Sequence, residues 1–187
     1  MISIKNNSLI LLLLLYFAFI ISASAQTYVG KNVKTSIFSS TPVEDIKAVS
    51  NAGTAVLVVQ NQELAIQIPI KSLEFDKKMM QEHFNENYME SEKYPAAKFK
   101  GIIEPKVDWK KDGEYPVFAK GVLTVHGVDK SRTIAGRIII KNGIPTLSST
   151  FEVVCAAHEI KIPSIVFTKI AETIKVTFQG TLNPLNK

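Results

Sequence analysis

From Thr27 onward, apolar and polar positions alternate with a period of two, the signature of strands with one dry and one wet face. The clearest run is Thr173 to Leu182, where Ile174, Val176, Phe178 and Leu182 share one face and Thr173, Lys175, Thr177, Gln179 and Thr181 the other. Leu64, Ile66, Ile68 and Ile70 repeat the pattern, and Val117 to His126 sets Val117, Ala119, Leu123 and Val125 against Lys120, Thr124 and His126. Similar runs at Lys34 to Ser40, Thr54 to Gln60, Lys98 to Val107, Thr133 to Lys141 and Leu147 to Val154 bring the predicted strands to eight. Turn signals between them are short: Asn51 to Gly53, Asn61-Gln62, Lys111 to Gly113, His126-Gly127 and Asn142-Gly143. Parallel pairing would need a long crossover after each strand, so the spacing predicts an antiparallel barrel or sandwich.

One stretch departs from this period. Between Lys77 and Met89, Met80, Phe84 and Tyr88 recur every four residues behind Asp76, which predicts a short helix with Asp76 as its N-cap. Pro95 forces Tyr94 into an extended conformation, so the helix is expected to end near Ser91. A helix with one apolar stripe, inserted between strands, can close one end of a barrel.

The first 25 residues read as an export signal: Lys5, then an apolar run of 13 from Leu9 to Ile21, then Ala23-Ser24-Ala25 as a cleavage site. That run is short of the roughly 20 residues a membrane-spanning helix needs. The expected division is therefore a signal peptide at 1–25 and one domain at 26–187, with no stable membrane span after removal of the signal and an exported destination. The formal charge of +5 is spread along the chain and only Arg132 and Arg137 are arginines, a poor footprint for nucleic acid. Cys155 stands alone, so neither an internal disulfide nor a cysteine-based metal cluster is expected.

Catalytic patterns are weak. His83, His126 and His158 are far apart and have no second ligand at metal-binding spacing. No Gly-x-Ser-x-Gly elbow or phosphate-cradling glycine loop occurs, and the pairs Glu44-Asp45 and Glu90-x-Glu92 read as solvated charge. The expectation is a protein without catalytic residues, metal or cofactor. An eight-stranded barrel is at the size where the interior either fills or holds one small ligand. Small residues at inward positions, Ala55, Ala119, Gly121, Gly136 and Gly180, leave room for a tunnel, and periodicity alone does not choose between an open and a packed interior.

Three blocks carry a resemblance. They are the stretch from Phe75 to the Lys93-Tyr94-Pro95 close with Ala97 to Gly101 behind it, the run Ala119 to Lys130 around Leu123-Thr124-Val125-His126-Gly127, and Ile160 to Ile165 with Lys169 to Ile174. Together they resemble the YceI-like, polyisoprenoid-binding family. The resemblance implies a lipocalin-like antiparallel eight-stranded barrel, mainly β, with a short helix between strands and a tunnel for an isoprenoid or other long-chain amphiphile. One departure stands out. Where many members approach the closing strands through an Asp-Tyr-Gly-Ile-like sequence, this chain has Ala156-Ala157-His158-Glu159-Ile160.

On that basis the expected tunnel wall is Ile37, Phe38, Leu57, Ile66, Ile68, Met80, Phe84, Phe99, Leu123, Val125, Ile138, Phe151, Val176 and Phe178. His126, Arg137 and His158 are candidates to meet a headgroup, with ordinary surface positions as the simpler reading. The expected function is carriage or sequestration of a polyisoprenoid, quinone-like or fatty-acyl lipid in the periplasm. The rival is a non-catalytic envelope adaptor with a filled barrel. A homodimer stays open.

Overall fold

In the computed structural model, residues 26–162 and 171–185 are described; the expected signal segment 1–25 and the central part of the third resemblance block lie outside them. The described chain is a closed antiparallel barrel. Its eight main strands are β1 (Thr27–Ser40), β2 (Asp45–Val58), β3 (Glu63–Pro69), β5 (Ala96–Glu104), β6 (Gly113–Val125), β7 (Val128–Lys141), β8 (Ile144–Val154) and β9 (Thr173–Thr181). Two short strands, β4 (Glu74–Phe75) and β10 (Asn183–Pro184), pair with β2 and β1 respectively. Each main strand pairs with the next in sequence order, and β1 closes the circle by pairing with both β2 and β9. Closure removes the exposed edges that an open sheet of alternating strands would present.

All eight expected strands are present, most of them longer than the alternation alone indicates. The expected turn at Asn51 to Gly53 is a correction: these residues lie inside β2, and the β1–β2 turn falls at residues 41–44. Gly53 serves close approach here. A Cβ on it would meet the Val33 carbonyl oxygen at 2.8 Å and Ile68 Cδ1 at 2.6 Å. Opposite it, the β1–β2 register shifts around Val33, beside Asn32 at φ 58°, so the inward positions of β1 change from Tyr28 and Gly30 to Val33, Thr35, Ile37 and Ser39.

The helix is also shorter than expected. Helix α1 spans Lys78–His83 and passes into a single π-helical turn, Phe84–Tyr88. Lys77, not Asp76, occupies the N-cap and makes no side-chain capping bond, because the helical dihedrals begin one residue later than the pattern implied. No residue of α1 or of the π turn is buried. Its apolar stripe, Met80, Phe84 and Tyr88, is half-buried, with Phe84 packed against the barrel interior.

Two clusters of buried side chains face the interior. The first gathers Tyr28, Val33, Leu57, Val107, Trp109, Ile140 and Leu182 with the inner parts of β3, β5, β6, β7, β8 and β9. The second gathers Ile70, Met89, Phe99, Leu123, Val125, Ile134 and Val153, nearer the helix.

Candidate functional site

At the far end from the helix, the β5–β6 loop turns inward and plugs the barrel with Val107 and Trp109, each at most 6% exposed. Gln62 in the β2–β3 turn fastens that loop: its Nε2 donates to the Ile103 carbonyl at 2.8 Å, and Val107 N–H donates to its Oε1 at 2.6 Å. Asp112 accepts backbone bonds from Asn142 (2.6 Å) and Gly143 (3.1 Å), which hold its carboxyl below the usual aspartate range. Tyr28 donates its hydroxyl to the Gly143 carbonyl at 3.0 Å.

Above the plug the strands enclose a cavity of about 770 Å³. Its floor is made by Leu64, Ile103, Val117, Ile138, Leu147 and Phe178, which also belong to the packed cluster below. Its walls include Ile66, Phe99, Leu123, Ile134, Phe151, Val153 and Val176, and its roof Met79, Met80, Phe84, Tyr88 and Met89. Small residues open the middle, since Ala119 and Gly136 line it where larger side chains would close it. Gly121 and Gly180 play another part: a Cβ would meet the Lys100 carbonyl oxygen at 2.1 Å in the first case and Val33 at 2.9 Å in the second. Ala55 is buried within the packed cluster.

Of the fourteen expected wall residues, the structure brings Ile37, Ile66, Ile68, Met80, Phe84, Phe99, Leu123, Val125, Ile138, Phe151, Val176 and Phe178 to the cavity. Two need correction. Phe38 lies on the outer face of β1 beside Lys47 and Lys175, because the register shift makes Ile37 the inward residue. Leu57 points inward but is sealed in the plug, opposite Tyr28 and wholly buried. The sequence reading missed Leu73, Phe75, Met89 and Ile160, which also line the cavity. Leu73, Met89 and Ile160 sit in connections without a regular period; Ile134, Val153 and Ile174 were visible in the alternation but not chosen.

Charge is confined to the rim. Glu44 on the β1–β2 turn accepts from Lys77 Nζ at 2.5 Å, which joins the turn to the start of α1 and raises the Lys77 pKa. Lys71 pairs with Glu92, and Glu90 Oε2 lies 2.7 Å from His126 Nε2, so the segment after the helix is also tied down by exposed contacts. Arg137 reaches the cavity margin and pairs with Glu114 at 2.7 Å. His126 Nδ1 lies 3.1 Å from the His158 carbonyl oxygen.

His158 is only 1% exposed, against the surface position expected for it. It ends a 3-10 turn, Cys155–His158, with Nδ1 3.1 Å from the Val128 carbonyl oxygen and Nε2 buried without a partner. Burial lowers its pKa, Lys130 and Arg132 push in the same direction, and the backbone contacts oppose them in part. Cys155 lines the cavity, and burial pushes its thiol up to about 11, so it is protonated at neutral pH and a poor nucleophile. Among the described residues no three His, Cys, Asp or Glu side chains gather as a metal site, and no helix is long and apolar enough to cross a membrane.

A family model described as the YceI-like domain matches residues 23–182. The chain belongs to the YceI-like family. Solved structures agree on the fold of this YceI-like barrel. A polyisoprenoid-binding domain from Saccharophagus degradans, described as implicated in plant cell wall breakdown, superposes with a TM-score of 0.72 at 12% identity, covering 86% of this chain and 99% of that one. Burkholderia cenocepacia BcnA gives 0.66 at 14% identity, over 80% and 95% of the two chains. A Campylobacter jejuni YceI protein gives 0.57 at 14% identity, over 74% and 84%. No curated protein matches the chain.

Proposed function

We propose that this YceI-like barrel binds the tail of a long-chain lipid, an isoprenoid, quinone-like or fatty-acyl molecule, and carries or sequesters it in the bacterial periplasm after export. The observation that carries the reading is the 770 Å³ cavity, lined mainly by apolar side chains with Thr35, Ser39 and Ser149 among its few polar ones. A filled scaffold, as an adaptor would have, needs a solid interior, and this one is solid only at the plugged end. Each methylene transferred from water into such a space contributes about 0.8 kcal/mol, so a tail binds without any catalytic group. The name of the Saccharophagus degradans domain, which binds polyisoprenoids, supports the same class of ligand.

The test is extraction. Protein purified from the periplasm of a bacterial host is washed, denatured in organic solvent, and its extract read by mass spectrometry. A long-chain lipid at near-stoichiometric amounts is the expected result. A clean extract, together with failure to bind an apolar fluorophore, overturns the reading; recovery of the protein from the cytoplasm alone overturns the assigned compartment.

A further inference from the structure

The cavity is blind. Six side chains shared with the packed cluster form its floor, and beneath them Leu57, Val107, Trp109 and Leu182 leave the barrel solid to its far end. A tail that enters from the helix end therefore meets a wall, whereas a tunnel open at both ends would let it run through. Resting on the lipid-binding reading, we propose that the cavity is a length gauge: it takes a single apolar chain up to a set carbon number, with Phe178 and Leu147 as the stop.

The volume sets that number. At the roughly 30 Å³ that a water-sized group occupies in a liquid, 770 Å³ holds about 25 carbon atoms. Chains up to this size are covered entirely; beyond it, each further carbon is left at the rim among Glu44, Lys77 and Lys78. The donor phase decides how this reads out. A chain leaving a bilayer for the cavity exchanges one apolar surrounding for another, so the carbons inside are close to neutral. Each carbon left in water costs about fourfold in affinity. Uptake from a membrane is thus level with chain length up to the capacity and falls steeply past it.

The stop is built from β8 and β9. Leu147 stands opposite Gly180 and Phe178 opposite Ser149 in their shared ladder, with Phe178 also opposite Thr35 on β1. The ring thus occupies the level at which the open space gives way to the packed cluster. Shortening Phe178 extends the space downward; enlarging Ala119 on the wall reduces it without disturbing the floor.

The experiment presents the protein with phosphatidylcholine vesicles containing equal amounts of linear prenols of about 15, 20, 30 and 40 carbons, re-isolates it, and quantifies the bound prenols by mass spectrometry. The expected result is equal retention of the two shorter prenols and at least tenfold depletion of the longest. Phe178→Ala raises retention of the 30-carbon prenol relative to the 20-carbon one, and Ala119→Leu lowers it. Should Phe178→Ala fail to fold, the wild-type profile and Ala119→Leu decide the matter. Equal retention of the 40-carbon and 20-carbon prenols overturns the gauge and leaves lipid binding standing. Retention of none overturns both.

Discussion

The two ends of this barrel use the same alternating strands and reach opposite outcomes. At the plugged end, the β5–β6 loop inserts Trp109, and Gln62, Asp112 and Tyr28 bond backbone groups of that loop, of the end of β5 and of the β7–β8 turn. At the helix end, α1 and its π turn fully bury no residue and are held by the half-buried contacts of Phe84 and by an exposed ion pair at the start of α1. One end is closed by packing, the other by contacts of small individual worth. On the proposed lipid-binding reading, stability belongs to the first and ligand exchange to the second, and the largest expected effect breaks the first. Trp109→Ala removes a buried aromatic from the plug and costs about 3–5 kcal/mol, roughly a 10 °C fall in Tm by calorimetry. Molecules that remain folded are expected to retain lipid as the parent does.

The converse change sharpens the contrast. Phe84 in the π turn stacks obliquely on Phe75, with ring centroids 4.8 Å apart, while its other side faces the cavity. Phe84→Ala removes a half-buried contact and is expected to cost about 1 kcal/mol in the same calorimetric measurement. Release of an apolar fluorophore, followed by stopped flow, is expected to speed several-fold. A fall in Tm as large as that of Trp109→Ala, with release unchanged, would show that the helix is packing and not a cover.

The same division explains what could be read from the chain. Strands whose inward face is filled by Val, Ile, Leu and Phe declare themselves by alternation, and the barrel and ten of the expected wall residues follow from it, while Met80 and Phe84 follow from the four-residue stripe of the helix. Ile37 and Phe38 are neighbours on one strand, so only one of them can face inward; the shift around Asn32 and Val33 decides for Ile37, and no apolar pattern marks a bulge. Leu57 has the correct face but the wrong depth, since periodicity carries no coordinate along the barrel axis. The plug was not visible for a different reason: β5 ends at Glu104, so Val107, which the alternation placed in a strand, sits with Trp109 in a loop, where burial follows from the closure of distant strands.

His158 gives a smaller effect, and one that depends on pH. Its folded pKa is depressed below about 6.5, so the unfolded chain binds the proton more readily over the interval between the two values. Its stabilising contribution is complete above about pH 6.5 and is lost as pH falls towards the folded pKa. Thermal melts taken from pH 7.5 downward are expected to show a decline through that window that His158→Gln lacks. An identical decline in both proteins would place the titration elsewhere.

The smallest effect on stability is expected at the rim, where it bears most directly on exchange. Lys77 and Glu44 join the start of α1 to the β1–β2 turn at 2.5 Å, and the lysine is largely exposed, so water screens the pair. Lys77→Ala should therefore leave Tm unchanged within error. The same pair nevertheless fastens a helix that buries no residue of its own, beside Met79, which lines the cavity and is 67% exposed. Untying it should raise the rate of lipid transfer from vesicles, and high salt should bring the parent protein towards the variant's rate, because screening weakens the pair without touching the plug. If transfer by the parent is indifferent to salt and equal to that of the variant, the ion pair does not restrain the cover, and opening is governed by the apolar contacts of Phe84 instead.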